Sequence, residues 1–141
     1  MTAAALDAKG GPADAQAMGP ALIRLFAERD QKLFALPTEP GGLNDAIWVD
    51  MLRPRGEDEA MIESSLGVDI PTQEEMREIE VSSRLYLDGD AAFMTAIVLS
   101  RTDGDDAVSA PVTFILSGRK LVTVRYEEPR VFTSFPERAQ K

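Results

Sequence analysis

The stretch APVTFILSGRKLVTVRY, residues 110–126, contains two apolar runs separated by Ser117-Gly118-Arg119. A short turn with glycine at its centre favours an antiparallel pair of strands, because glycine readily adopts the left-handed backbone that tight hairpins need. The stretch therefore predicts a β-hairpin formed by residues 110–117 and 120–126.

A second hairpin is predicted directly before the first. Residues 82–88 and 91–101 are strand-like runs separated by the turn Asp88-Gly89-Asp90. The run AAFMTAIVLS, residues 91–100, is apolar at both alternating sets of positions. It therefore predicts a central strand covered on both faces.

The N-terminal half adds three more predicted strands. Residues 22–27 and 31–36 surround the polar turn Glu28-Arg29-Asp30, and AIWVDML follows at 46–52. Alternation in AIWVDML divides the run into two faces. One face holds Ile47, Val49 and Met51, and the other holds Trp48, Asp50 and Leu52.

Two helices are predicted after the third strand. The first begins with acids at 57–59, carries Ile62 and Leu66 four residues apart, and ends at Gly67. The second follows Pro71, where Thr72 and Glu75 form the T-x-x-E pattern of a capping box. The predicted fold class is thus α/β, with a sheet of about seven strands and two helices inserted after the third.

The ends of the chain differ from this ordered middle. Residues 1–20 form a leader rich in Ala and Gly without apolar periodicity, so we expect it to be disordered. The folded domain is expected to span 21–141. From Val131 the sequence reads as the beginning of another helix.

Composition excludes several classes of function. The 141 residues include no cysteine and no histidine, which excludes disulfides, Cys/His zinc sites and histidine-based catalysis, so we do not expect an enzyme. The net charge of -9 argues against a nucleic-acid partner. No apolar run reaches the length of a membrane span.

Negative charge is concentrated between Gly56 and Glu80, which contain nine acids and one base, a local sum of -8. Glu75 is assigned to the capping box. Glu74 and Glu78 lie four residues apart on one helical face, where like charges oppose helix formation unless a cation is near. Two interpretations stay open: a solvated acidic surface, or a weak metal site at Glu78 and Glu74 that another chain completes.

The chain resembles the N-terminal cytoplasmic domain of CorA-type magnesium transporters over about residues 46–136. The similarity lies in three segments taken in order: WVDMLRP (48–54), EDEAMIESSLGVDIPTQEEMREIEVSSRLYLDGD (57–90) and PVTFILSGRKLVTVRYEEPRVF (111–132). It implies an α/β/α sandwich around a mixed sheet, at the cytoplasmic face of the inner membrane. It also implies a homopentamer in which each protomer continues into a stalk helix and two membrane helices.

The resemblance gives Glu78 a specific role. In some family members an acid in a Leu-Glu-Asp-Ile stretch pairs with a stalk acid of the neighbouring protomer to bind regulatory Mg²⁺. Met76-Arg77-Glu78-Ile79 corresponds to that stretch, with Arg77 in place of the preceding acid. Weak, regulatory Mg²⁺ binding that gates the channel is therefore expected.

The pore motif Gly-Met-Asn does not occur in the 141 residues. We therefore expect residues 21–141 to be the N-terminal domain alone, cut before the stalk and membrane helices, and to be a monomer or a weak oligomer. Two alternatives are the same domain of a related zinc transporter and a stand-alone acidic domain that binds a basic protein.

Overall fold

The computed structural model describes residues 19–39, 41–78, 85–101 and 107–141. Seven strands are present in these ranges: β1 (Leu22–Arg29), β2 (Lys32–Leu36), β3 (Trp48–Leu52), β4 (Leu85–Asp88), β5 (Ala91–Arg101), β6 (Ala107–Ser117) and β7 (Lys120–Arg125). Four helices accompany them: α1 (Gly42–Asp45), α2 (Gly56–Leu66), α3 (Gln73–Glu78) and α4 (Val131–Ala139). The predicted disorder of residues 1–20 falls almost wholly outside the described residues and stays a prediction.

The strands form one sheet in the order β2-β1-β3-β7-β6-β5-β4. β3 and β7 pair in parallel, whereas the other described pairs are antiparallel. The sheet is therefore mixed and has seven strands, and α2 and α3 follow the third strand, β3. These findings confirm the predicted fold class.

Turn chemistry sets the hairpins as predicted. Ser117 pairs with Lys120 around Gly118, which has a φ of 60°, and Asp88 pairs with Ala91 around Gly89, at 61°. The first hairpin turns later than predicted, at Asp30 and Gln31, because β1 extends through Arg29.

Local signals also determine the ends of the two inserted helices. Gly67 ends α2 in the left-handed conformation, with a φ of 68°. Before α3, the backbone N–H of Thr72 donates to Glu75 Oε1 at 2.8 Å, and the Glu75 N–H donates to Thr72 Oγ1 at 3.1 Å. The predicted capping box is thus confirmed.

Helices pack on both faces of the sheet. On one face, Leu43, Ile62 and Met76 from α1, α2 and α3 join a core that includes Val49 and Phe93. On the other face, Phe132 of α4 packs with Phe26, Trp48 and Val112. No helix in the described ranges is long and apolar enough to cross a membrane.

The expectation that 91–100 is a central strand covered on both faces is wrong. β5 is one strand from the edge of the sheet, and Met94 is 43% exposed on one face while Leu99 is 68% exposed on the other. On the α4 side, Phe132 packs with Phe26 of β1, Trp48 of β3 and Val112 of β6, and Val98 of β5 is only partly buried against this cluster. An apolar pattern on both faces of β5 therefore marks surface that the described residues leave open.

Candidate functional site

The two acids predicted as metal ligands lie on α3. Both Glu74 and Glu78 are exposed, and neither makes a hydrogen bond or ion pair with another described residue. Ile79 and Glu80, which follow directly, are outside the described residues. Within the described ranges no three acidic side chains converge into a group that could hold a metal ion. The structure therefore presents both carboxylates but does not assemble a metal site from them.

Other acids of the same segment have local structural roles. Glu75 caps α3, and Glu63 accepts a hydrogen bond from the backbone N–H of Ile70 at 2.8 Å, which fixes the link between α2 and α3. Asp58 accepts one from the backbone N–H of Arg55 at 2.9 Å, at the beginning of α2. These bonds hold the two helices in place while Glu74 and Glu78 remain available to solvent.

The acids of α2 and α3 act on each other electrostatically. Burial raises the pKa of the Glu59 carboxyl, and the charges of Glu63, Asp58 and Glu75 raise it further. Burial, followed by the charge of Glu59, raises the pKa of Tyr126 to about 12. The part of the Glu59 shift that comes from Glu63, Asp58 and Glu75 shows that the acids of α2 and α3 lie close enough to repel one another.

A buried charge cluster beneath α4 was not predicted from the sequence. Asp50, at the centre of β3, is fully buried, and all five β3 residues are buried because both of the faces predicted from alternation are covered. Arg125 donates to Asp50 twice, from Nη2 to Oδ2 at 2.7 Å and from Nε to Oδ1 at 2.9 Å. Arg24 Nη2 donates to Asp50 Oδ2 at 2.8 Å, and Thr123 Oγ1 donates to Asp50 Oδ1 at 2.8 Å.

The register of the sheet brings this cluster together. Arg24 and Thr123 are the cross-strand partners of Asp50 on its two sides. Burial alone would raise the pKa of Asp50, but the hydrogen bonds and charge of Arg125, with the bonds from Arg24 and Thr123, hold it below its ordinary value. The carboxylate is therefore ionised and fully paired at neutral pH.

The cluster also attaches α4 to the sheet. Arg24 Nη2 donates to the backbone carbonyl of Phe132 at 2.8 Å. The Arg125 guanidinium lies over the Phe132 ring, 4.4 Å from its centroid. Each charged group in these contacts has a partner within the fold, so we assign the cluster a structural role.

The aromatic residues divide between core and surface. Trp48, Phe26 and Phe132 are buried, but Tyr86 is 41% exposed and Phe135 is 54% exposed. Beside α4 an apolar pocket of about 430 Å³ opens. It is lined mainly by aliphatic and aromatic side chains, among them Leu33, Trp48, Phe114, Leu121 and Phe135.

The curated proteins most similar in sequence to this chain include several magnesium transport proteins named CorA. The chain is 29% identical over 119 residues to the magnesium transport protein CorA of Haemophilus influenzae, covering 84% of this chain and 38% of that protein. It is likewise 29% identical over 119 residues to CorA of Salmonella typhimurium, with 84% and 34% covered. The chain thus spans less than two fifths of the length of these curated relatives. No protein-family model matches it.

The solved structures agree at the level of fold. The soluble domain of CorA from Methanocaldococcus jannaschii matches with a TM-score of 0.55 and 13% identity, over 82% of this chain and 45% of that one. The ZntB cytoplasmic domain from Vibrio parahaemolyticus matches with a TM-score of 0.51 and 11% identity, over 83% and 50%. Sequence similarity and fold together support a CorA-type N-terminal domain.

Proposed function

We propose that the chain is the cytoplasmic domain of a divalent-cation transport protein similar to CorA, located at the inner face of the membrane in a homopentamer. The observation that carries the proposal is the 29% identity over 119 residues to proteins that transport magnesium. The fold similarity supports it without choosing an ion, because CorA and ZntB domains both match.

Within this proposal, α3 senses the cation between neighbouring protomers. Glu78 is the principal ligand and Glu74, one turn earlier on the same short helix, assists it. Two monodentate carboxylates are too few for a tight site, so a neighbouring protomer supplies the remaining oxygens and Mg²⁺ retains several waters. Arg77 lies between them and weakens the attraction, which makes the affinity low.

The proposed gating mechanism is electrostatic. Bound Mg²⁺ offsets the repulsion between acidic surfaces of adjacent protomers and favours a closed ring. When the cation is scarce, repulsion returns and the population shifts towards open arrangements. Repulsion between acids is already present within one protomer, where Glu63, Asp58 and Glu75 add to burial in raising the pKa of Glu59.

Two experiments test the proposal separately. The coding sequence beyond Lys141 should contain a long charged helix and two apolar spans with Gly-Met-Asn, and a stop codon directly after Lys141 would contradict a role in transport. In the pentamer, Glu78→Ala should raise several-fold the Mg²⁺ concentration that protects the ring from protease. Glu137→Ala removes an exposed acid from α4 and should leave that concentration unchanged. An unchanged response in Glu78→Ala would remove Glu78 from the site while leaving the transport role intact.

A further inference from the structure

Arg53 joins two parts of the fold that are distant in sequence. Its backbone lies directly after β3 and just before α2. Its side chain reaches the linker between β7 and α4, which comprises residues 126–130. There Nη2 donates to Glu128 Oε2 at 3.0 Å, and Nη1 donates to the Tyr126 carbonyl at 3.4 Å. The residue that connects the sheet to α2 therefore also holds the segment that leads into α4.

The backbone of Arg53 has an unfavourable conformation. Its φ is 47°, in the left-handed region that residues with a side chain seldom adopt. Pro54 follows, and a residue that precedes proline favours extended backbone. The Arg53 N–H donates to the Arg125 carbonyl at 2.8 Å, which continues the pairing of β3 with β7 by one residue. Tertiary contacts thus hold the left-handed conformation against a local preference for an extended one.

The side chain of Arg53 is buried and incompletely paired. It is 7% exposed, and a Cβ atom at Gly19 would lie 2.8 Å from its Nη2, so the guanidinium is closely covered on that side. Within the described residues, Nε is the one buried side-chain nitrogen or oxygen without a hydrogen-bond partner. A buried donor without an acceptor opposes the folded arrangement. Backbone and side chain are therefore both strained at one residue, as is typical of segments that switch conformation.

We propose that Arg53 is a hinge that couples the position of α2 to the attachment of α4. In this structure the left-handed backbone sets the direction in which the chain enters α2, and the guanidinium holds Glu128. When α2 shifts, Arg53 changes to the extended backbone, the guanidinium leaves the linker and Glu128 is released. The two events occur together because they depend on the same residue.

The hinge connects the acidic helices to α4. Glu63 of α2 accepts a hydrogen bond from the Ile70 N–H at 2.8 Å, which ties the beginning of the α3 segment to α2. The linker leads into α4, whose Phe132 ring lies 6.3 Å from that of Trp48, between centroids. As a route for a cation signal, the hinge rests on the proposed function. The coupling itself is a property of the fold and is tested without magnesium, so its failure and the failure of cation sensing are distinguishable.

Hydrogen exchange of the 141-residue chain, followed by mass spectrometry, measures both sides of the hinge at once. Glu128→Gln removes the charged partner of Arg53. It should raise the exchange rate about threefold both in peptides covering 126–139 and in peptides covering 53–66. Glu127→Gln is the matched control, because it removes the same charge from the adjacent residue, whose carboxylate bonds to no other described residue. The control should exchange like the parent chain.

Two substitutions at Arg53 separate the backbone from the side chain. Arg53→Gln and Arg53→Gly both remove the guanidinium and should release the linker, but only glycine readily accepts the left-handed backbone. Exchange in 53–66 should therefore be about threefold faster in Arg53→Gln than in Arg53→Gly. Adding Glu128→Gln to Arg53→Gln should have no further effect, as expected when both changes break one interaction. Circular dichroism verifies that each variant is folded.

Three results would overturn the proposal. Faster exchange at 126–139 alone in Glu128→Gln would show that the two sides are independent. Parent-like exchange in that variant, or the same increase in Glu127→Gln, would show that the ion pair holds neither side. Equal exchange at 53–66 in Arg53→Gln and Arg53→Gly would show that the left-handed backbone has no part in the coupling. Because Glu128 is 69% exposed, its variant keeps the test valid even if a variant of buried Arg53 fails to fold.

Discussion

Replacing Asp50 with asparagine should destabilise the fold strongly at neutral pH. The substitution keeps the shape of the side chain but removes the charge that pairs with Arg125 and Arg24. The Arg125 side chain is 4% exposed, so its guanidinium would remain in the interior without a counter-ion, whereas Arg24 is 27% exposed and can turn to water. Removing one partner of a buried ion pair costs about 3–5 kcal/mol, most of it here at Arg125.

Urea unfolding at pH 7 measures this loss directly. Trp48 is the only tryptophan of the chain and reports on the same site, because its indole N–H donates to Thr123 Oγ1 at 2.9 Å. We expect the free energy of unfolding to fall by about 3–5 kcal/mol in Asp50→Asn. Asp45→Asn changes an exposed acid of α1 and should stay within about 0.5 kcal/mol of the parent chain.

A double substitution separates pairing from packing. Asp50→Leu with Arg125→Met removes both buried charges, so it should be more stable than either single variant. A loss below about 1 kcal/mol in Asp50→Asn would refute the account of a buried charge that depends on its partner. A double variant no better than the worse single one would refute it as well.

Acidification provides an independent check of the same cluster. The folded pKa of Asp50 lies below its unfolded value, so its contribution is present above about pH 4 and is lost as the pH falls through the folded pKa. The unfolding free energy of the parent chain should therefore decline more steeply below about pH 4 than that of Asp50→Asn. Parallel curves would contradict the pairing.

Two further predictions concern the helix cap and a tyrosine. Thr72→Ala removes the hydroxyl that accepts the Glu75 N–H and should cost about 1 kcal/mol in urea unfolding, with an unchanged midpoint as the contrary result. Because burial, and then the charge of Glu59, raise the pKa of Tyr126 to about 12, its phenolate absorbance should appear near that pH, and Tyr126→Phe should remove this transition. The tyrosine contributes stability below pH 10 that is lost as the pH rises towards 12, so Tyr126→Phe should flatten that decline.

Turns and caps could be predicted from the sequence because their causes are local. Gly67, Gly89 and Gly118 each end or reverse an element where a positive φ is needed, and Thr72 meets Glu75 only three residues away. The seven strands could be predicted because apolar runs lie between such turns. The sequence also placed the acids of α3 on an exposed helix. It could not show a complete metal site, because the described residues of one chain bring no three acidic side chains together.

The Asp50 cluster could not be predicted from neighbouring residues because its members lie 26 and 75 positions away. Alternation in a strand assumes one covered face, yet β3 is in the middle of the sheet with helices on both sides, so both faces are buried. A weak signal was present: one acid within AIWVDML and one base at the end of KLVTVR, in runs otherwise suited to a central parallel pair. The exposure of β5 could not be predicted either. An apolar pattern on both faces of a strand does not show whether helices cover those faces.

The position of β3 bears on how the proposed sensor could act on the rest of a transporter. The acids lie beyond one face of the sheet, where Val49 and Met51 of β3 share a core with Ile62 of α2. On the other face Asp50 holds Arg24, which in turn holds the backbone of α4 at Phe132. A displacement of α2 and α3 can thus reach α4 through one buried strand without a flexible link. If that route operates, a conservative change at Asp50 will loosen α4 and alter the cation response of the proposed pentamer while every acid of the proposed sensor remains in place.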